Sequence, residues 1–589
     1  MSKDFFIVVF INNKYHDRTY DKGEINMSIN HNVKKFLLVT AILFPAVEFV
    51  GSGVQSASAD DKKTLNLVEK SDPTTVDVND VRNANEFDIL NATQEGLFRI
   101  NSKNGKDKLE LAGAKSYEVS EDGLTYTFHL RDSKWSDGKA VVAQNYVDSA
   151  LRELNPKNGF AYATLGYDIK NAEAYNTGKA PASSVRVSAP DKKTFKITLA
   201  HPTENFLKKY SNVAFYPVRL DLINKQGNKK WKTDWKDQVS NGAFKITQWK
   251  TDDKIVLTKN KKFWNNKQVK LNKVKYITTE KSSTVSSLLQ SGQLDSVVAS
   301  GTDALNYKKA AKSSKVNVKS QLGSGTNLLV FNQKTGGTQG LLKNAKIREA
   351  ISLAINRTKY NKVLSDGQEQ PAKGYIPGSV TVGTTNYRKS AGNILAQSEK
   401  EYNSSAKLKK LFQEGLKELG KSTDLSKVKL VFLTTNDSSD DADLISYLKQ
   451  EFKDELGVTV KASSQSDTAS FVSKRDKGNY DLLSNGWYGD YNDPETFLSL
   501  WSSNNGFQRF FGGYKSDEYD KLFATLQNTK DTKQRLQIYE QLEKILVSKD
   551  FGVAPTTVPK TKVFTSSSVK GLQTPVFGPT YNYVYAYKK

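Results

Sequence analysis

Between Thr125 and Leu130 polar and apolar residues alternate, and Lys254 to Thr258 repeats the pattern more weakly. A period of two sends every second side chain to one face, so both stretches are expected to be half-buried strands. Further along the period lengthens. Leu408, Leu411, Phe412, Leu416 and Leu419 recur at helical spacing, and Gly420 stands where a helix C-cap would be. Val428 to Leu433 then reads as a buried strand. A second helical stripe follows at Leu444, Ile445, Leu448, Phe452 and Leu456, stopped by Gly457, and Val458-Thr459-Val460 opens another strand. Strand, helix and strand in this order predict a βαβ unit with parallel strands, and so an α/β fold. Leu536, Tyr539, Leu542, Ile545 and Leu546 mark one more amphipathic helix near the C-terminus.

The N-terminal pattern is of another kind. After Met27 come the basic pair Lys34-Lys35, an apolar run from Phe36 to Val47, and the small residues Ala57-Ser58-Ala59. These are, in order, the charged, greasy and small-residue regions of a secretory signal. Glu48 ends the apolar run well short of the ~20 residues that span a bilayer. Residues 27–59 are therefore expected to be a cleaved signal. Lys22-Gly23-Glu24 would be encoded by a purine-rich, ribosome-binding-like stretch just before Met27, so residues 1–26 are expected to be an untranslated start.

The chain is 589 residues long, too many for one core, so two or three domains are expected. It has no cysteine, which excludes disulfides, thiolate zinc sites and cysteine nucleophiles. Residues 1–59 carry six Lys/Arg and five Asp/Glu, so the mature part keeps +23 of the chain's net +24. The lysines are scattered rather than run together, which suits anionic wall polymers better than nucleic acid. Only His129 and His201 follow the signal, and neither adjoins a serine or carboxylate motif. No nucleophile elbow, phosphate loop or zinc-binding helix motif occurs. Carboxylates are numerous, so a paired-carboxylate hydrolase stays open on composition alone.

Several segments resemble the peptide-binding class of bacterial extracytoplasmic solute-binding proteins. Residues 114–138 are similar almost throughout to that family's signature stretch. Asn241-Gly242-Ala243-Phe244, Phe263-Trp264, Ser291-Gly292-Gln293-Leu294-Asp295, Ile347-Arg348-Glu349-Ala350, Ala354-Ile355-Asn356-Arg357 and Gly486-Trp487-Tyr488-Gly489-Asp490 follow in the family's order. The resemblance implies a two-lobed, periplasmic-binding-protein-like fold of type II with a small inserted third domain. The first lobe would comprise residues 60–95, 187–325 and 557–589, the insert 96–186, and the second lobe 326–556.

It implies a monomeric, non-enzymatic receptor of an ABC oligopeptide importer, with peptides and permease subunits as partners and no cofactor or metal. Asp490 would receive the peptide ammonium, unless it only makes an Asx turn before Asp493-Pro494. Gly486, Trp487, Tyr488 and Tyr162 would line the cleft; Trp487 either touches the ligand or braces its loop. Asn241-Gly242, near the hinge, fits a tight turn better than a ligand contact. Ser484 stands where some members carry an arginine near the ligand, and Asp467 near an aromatic cleft position. Both departures point to longer or more basic peptides than tripeptides. Phe49-Val50-Gly51-Ser52-Gly53 resembles a lipidation box with Ser52 in place of cysteine, which implies an unlipidated protein at a Gram-positive cell surface. A cationic adhesin and an extracellular hydrolase are the rival readings.

Overall fold

The computed structural model describes residues 63–589 apart from 104, 105, 313, 436–438, 504, 506, 507 and 509. The expected signal, the early start and the Ser52 box lie outside the described residues. The rest forms three units, the first lobe built on two sheets and the other two units on one main sheet each.

The first lobe carries a four-stranded sheet in the order Thr64–Glu69, Lys273–Thr278, Lys254–Lys259, Phe244–Lys250. Leu65, Leu67, Val274, Tyr276, Ile255 and Leu257 all point to one face and are buried, as the alternation requires. Helix Ala84–Thr93 buries Ile89 and Ala92 in this core. Its Leu90 enters the core of the insert instead, so one helix ties two units together. A three-stranded sheet, Ser296–Ser300, Lys560–Ser566 and Val316–Leu322, completes the lobe beside helices Ser282–Gln290 and Gly301–Ala311.

The insert is larger than expected. Its sheet runs Ala114–Val119, Thr125–Leu130, Thr194–Thr198, Val187–Asp191, so two of its four strands lie beyond residue 186. Phe206, Tyr210, Phe215 and Trp231 belong to the same apolar core as Phe128 and Trp135. The sheet and core of the insert thus continue past residue 186. An alternating strand such as Thr194–Thr198 declares its buried face but not which sheet it joins.

The second lobe is organised on a six-stranded sheet, Gln370–Pro371, Val553–Val558, Gly325–Phe331, Leu482–Tyr488, Lys429–Thr435, Thr459–Gln465. Both faces are covered. Leu328, Val330 and Leu483 enter one core while Leu329, Phe331 and Leu482 enter the other, which is why these strands read as continuous apolar runs. The βαβ unit is present, with Lys429–Thr435 parallel to Thr459–Gln465 and helix Ser439–Leu456 between them. Helix Ser405–Glu418 precedes it, and Gly420 and Gly457 both take the left-handed backbone that ends a helix (φ 66° and 74°).

The chain crosses between lobes twice, side by side. Leu322 pairs with Lys560, the Gly323 amide donates to the Pro559 carbonyl (2.8 Å), and beyond them Asn327 pairs with Thr557. Two short adjacent crossings make a hinge.

Candidate ligand cavity between the lobes

A cavity of about 820 Å³ lies where the three units meet, within the size range of ligand sites. The second lobe contributes Gly486 to Asn492, the insert contributes Leu109, Tyr117, Tyr162 and Lys208, and the C-terminal segment contributes Val576 and Phe577. The hinge residues Gly323, Ser324 and Pro559 form part of its wall. The site stands at the carboxyl end of strand Leu482–Tyr488, the usual place for a ligand in an α/β sheet.

Strand pairing delivers the loop. Tyr488 lies opposite Gly325, and a Cβ built there would meet the Tyr488 ring at 2.6 Å, so only glycine lets the ring lie flat on the neighbouring strand. Beyond the strand the Gly489 amide donates to the Ser324 carbonyl (2.9 Å). The Asp490 amide donates to Thr496 Oγ1 (3.2 Å), whose hydroxyl lies 3.4 Å from Asp490 Oδ2. Asp490 is half-buried. Among the described residues no cationic side chain pairs with it, and burial raises its pKa from the usual carboxylate range to about 7. Burial and then the Asp490 charge hold the Tyr162 phenol well above its ordinary value. Both residues line the cavity. Tyr162 stands edge-on to Phe87 (5.7 Å between centroids).

Trp487 lines the cavity and also stands edge-on to Phe511 (6.3 Å). It can touch a ligand and brace the loop at once. Asp493 is fully buried and committed elsewhere. It accepts from the Glu495 amide (3.0 Å) and the Tyr539 hydroxyl (2.8 Å), with Lys208 Nζ at 3.5 Å.

Ser484 and Asp467 stand away from the cavity wall. Ser484 pairs with Leu329 inside the sheet and does not line the cavity. It sits two residues before Gly486, roughly 6.6 Å further down the strand. Asp467 is exposed and caps helix Thr468–Asp476 by accepting from the Ser470 amide (2.8 Å). Asn241 and Gly242 also stand outside the cavity wall. The Glu95 amide donates to Asn241 Oδ1 (3.0 Å) and the Gly242 amide to Thr93 (2.9 Å), which stitches the end of helix Ala84–Thr93 to the first lobe.

Sequence reasoning missed Phe87, Leu109, Tyr117, Lys208 and Phe577. Tyr117 left a signal: strand Ala114–Val119 exposes nearly every residue, yet carries Tyr117 and Val119 outward. Lys208 left none. Among the described residues no group of three or more His, Asp or Glu side chains is arranged to hold a metal ion.

A family model described as the middle part of bacterial extracellular solute-binding proteins, family 5, matches residues 108–509. The oligopeptide-binding protein OppA of Bacillus subtilis is 30% identical over 561 residues, covering 93% of this chain and 98% of its own. The crystal structure of the substrate-binding domain of an oligopeptide ABC transporter from Bacillus anthracis superposes with a TM-score of 0.72 at 28% identity, covering 90% of this chain and 99% of that one. Listeria monocytogenes OppA bound to peptide superposes with a TM-score of 0.71 at 27% identity, covering 90% and 99%. The breadth of these matches, together with a ligand-sized cavity at the hinge of two lobes, places this chain among the bacterial extracellular solute-binding proteins of family 5.

Proposed function

We infer that the cavity captures peptides by their free N-terminus, with the α-ammonium on Asp490. The observation that carries this is a carboxylate in the cavity wall with Thr496 but, among the described residues, no cation beside it, held at a pKa of about 7 by burial. A carboxylate leaving water is stabilised by an opposite charge, and an ammonium supplies one with donors to spare. The peptide backbone would be met by backbone groups of the hinge and of the loop that begins at Gly486, which suits many sequences.

The chain is the peptide-binding component of an oligopeptide ABC transporter and a binding protein rather than an enzyme. It works outside the cytoplasm. Permease subunits are its proposed receivers, and closure about the hinge would give them a loaded form to recognise. The net charge of +23 after the expected signal supports a second association, with anionic polymers of a Gram-positive wall, without a lipid anchor. Charge attraction is screened within ~10 Å at 0.1 M salt. A molar salt wash should therefore release the protein from cells, and retention, or acyl-modified peptides in the digest, would refute that association.

The central reading is tested by denaturing the purified protein and identifying what it releases by mass spectrometry, then by melting curves with added ligands. Peptides should be recovered and should raise the melting temperature by linkage, while free amino acids and sugars should not. Stabilisation by sugars alone would overturn it.

A further inference from the structure

Most polar side chains around the cavity already have partners, chiefly backbone groups or residues outside its wall. Among the charged ones, Arg82 pairs with Asp80 (2.7 Å), and Lys208 donates to the Asn492 carbonyl (2.8 Å) and faces Asp493. Glu204 lies 3.7 Å from Arg535 Nε. Asp107 Oδ2 accepts from the amides of Val576 (2.8 Å) and Phe577 (3.2 Å), while its Oδ1 is buried without a hydrogen-bond partner. The neutral ones are engaged too. Asn91 accepts from the Tyr216 hydroxyl (2.9 Å) and donates to the Phe87 carbonyl (2.8 Å). Asn212 Oδ1 accepts from the Ala214 amide (3.0 Å), and Asn492 Oδ1 accepts from the Thr381 amide (2.8 Å). Lys108 is exposed at the rim, where water solvates it.

The rings offer the opposite. Six large hydrophobic residues stand exposed among the described residues, and two of them, Tyr117 (39%) and Tyr488 (41%), belong to this one cavity. They come from different units, the insert and the second lobe. Phe87, Leu109, Leu207, Val576 and Phe577 continue the apolar wall between the polar groups. A ligand side chain that enters here loses its water. Apart from Asp490 and Asp107 Oδ1, a polar one meets mostly groups already engaged, whereas an apolar one covers ring surface that is otherwise wet.

We propose that the cavity selects peptides with large apolar or aromatic side chains close to the free N-terminus, held against Tyr117 of the insert and Tyr488 of the second lobe. The proposal rests on the reading of Asp490 as the ammonium partner. Selection comes from the rings and orientation from the carboxylate, so the two parts can fail separately.

The test is calorimetry on the full mature chain with free-N-terminus pentapeptides of equal length. One carries Phe and Leu at its inner positions, one Ser and Gln, one Lys and Asp. The apolar peptide should bind about tenfold more tightly or better than either polar one, since burying one ring surface is worth that much. Equal affinities, or a preference for a polar peptide, overturn the proposal and leave the reading of Asp490 standing. Binding by none of the peptides overturns both. Tyr117→Ser and Tyr488→Ser should each shrink the apolar-to-polar ratio by about threefold or more, and Tyr→Phe at either position should keep it. Both rings are partly exposed, so these variants should fold, which their melting curves check. A full ratio in both serine variants overturns the role of the rings, and the peptide comparison on the unaltered chain stands independently of every variant.

Discussion

Lys209 Nζ, on the insert, lies 2.6 Å from Glu495 Oε1, on the second lobe. The pair is the centre of a network across the cleft. Lys209 also meets Asp168 (2.9 Å), Arg535 meets Glu495 (3.1 Å), and the Asn205 amide group donates to Glu495 Oε2 (2.8 Å). Burial alone would raise the Glu495 pKa, but Lys209 and Arg535 outweigh it and hold it at about 2. The Lys208 ammonium joins the same seam through Asp493.

Glu495→Gln should therefore loosen the closed form. Removing one partner of a buried pair costs about 3–5 kcal/mol where the other charge is left stranded. Asp168 still faces Lys209, so the expected loss is nearer the lower figure. Peptide dissociation should speed up, and the radius of gyration from solution scattering should grow. Unchanged dissociation would show that the seam does not help to hold the lobes shut. A group whose folded pKa is lowered contributes stability above its unfolded value of about 4.3, lost as pH falls through about 2. The seam should hold throughout the neutral range.

Asp490→Asn keeps the shape and removes the charge. It should weaken binding of a free-N-terminus peptide by a hundredfold or more, from the same ~3–5 kcal/mol. N-acetylation of the peptide removes the charge from the other side. The double-mutant cycle of the two changes should show strong coupling, because each removes the same interaction. Additive losses would show that Asp490 does not hold the N-terminus.

The pH dependence should be bell-shaped. Asp490 titrates near about 7, so below that value its proton competes with the peptide and affinity should fall about tenfold per pH unit. The peptide amine titrates near about 7.7–8.0, so affinity should fall again on the alkaline side. Binding at pH 6 should release a proton, visible as a buffer-dependent heat. Asp490→Asn should abolish the acid limb and the proton release. The sign for stability is opposite to that of Glu495. A carboxyl with a raised folded pKa contributes most below its unfolded value, and that contribution is lost as pH rises through about 7. Asp88, likewise raised to about 7 by burial, titrates in the same window, so the comparison must be wild type against Asp490→Asn.

Gly325→Ala should cost about 1–3 kcal/mol of stability, the usual range for overpacking. Its Cβ would fall 2.6 Å from the Trp487 carbonyl oxygen and from the Tyr488 ring. The ring must move, so affinity for apolar peptides should drop together with the melting temperature. A variant with an unchanged melting temperature and full affinity would show that the strand yields at no cost.

The sequence by itself determined the local elements. Strand Thr125–Leu130, helix Ser405–Glu418 and the βαβ unit from Lys429 to Gln465 follow from period and punctuation, because each is specified by neighbours along the chain. Colinear motifs carried the family and pointed to Asp490, while Ser484 and Asp467, read as departures from the family pattern, lie in the sheet and at a helix cap. Only the tertiary structure decided that Thr194–Thr198 joins the insert, that Tyr117 and Tyr488 share one cavity, and that Lys209 meets Glu495. Periodicity states which face of an element leaves water, not what that face will meet. Burial and partnership across the cleft depend on chain segments hundreds of residues apart. They come into being only when the three units meet.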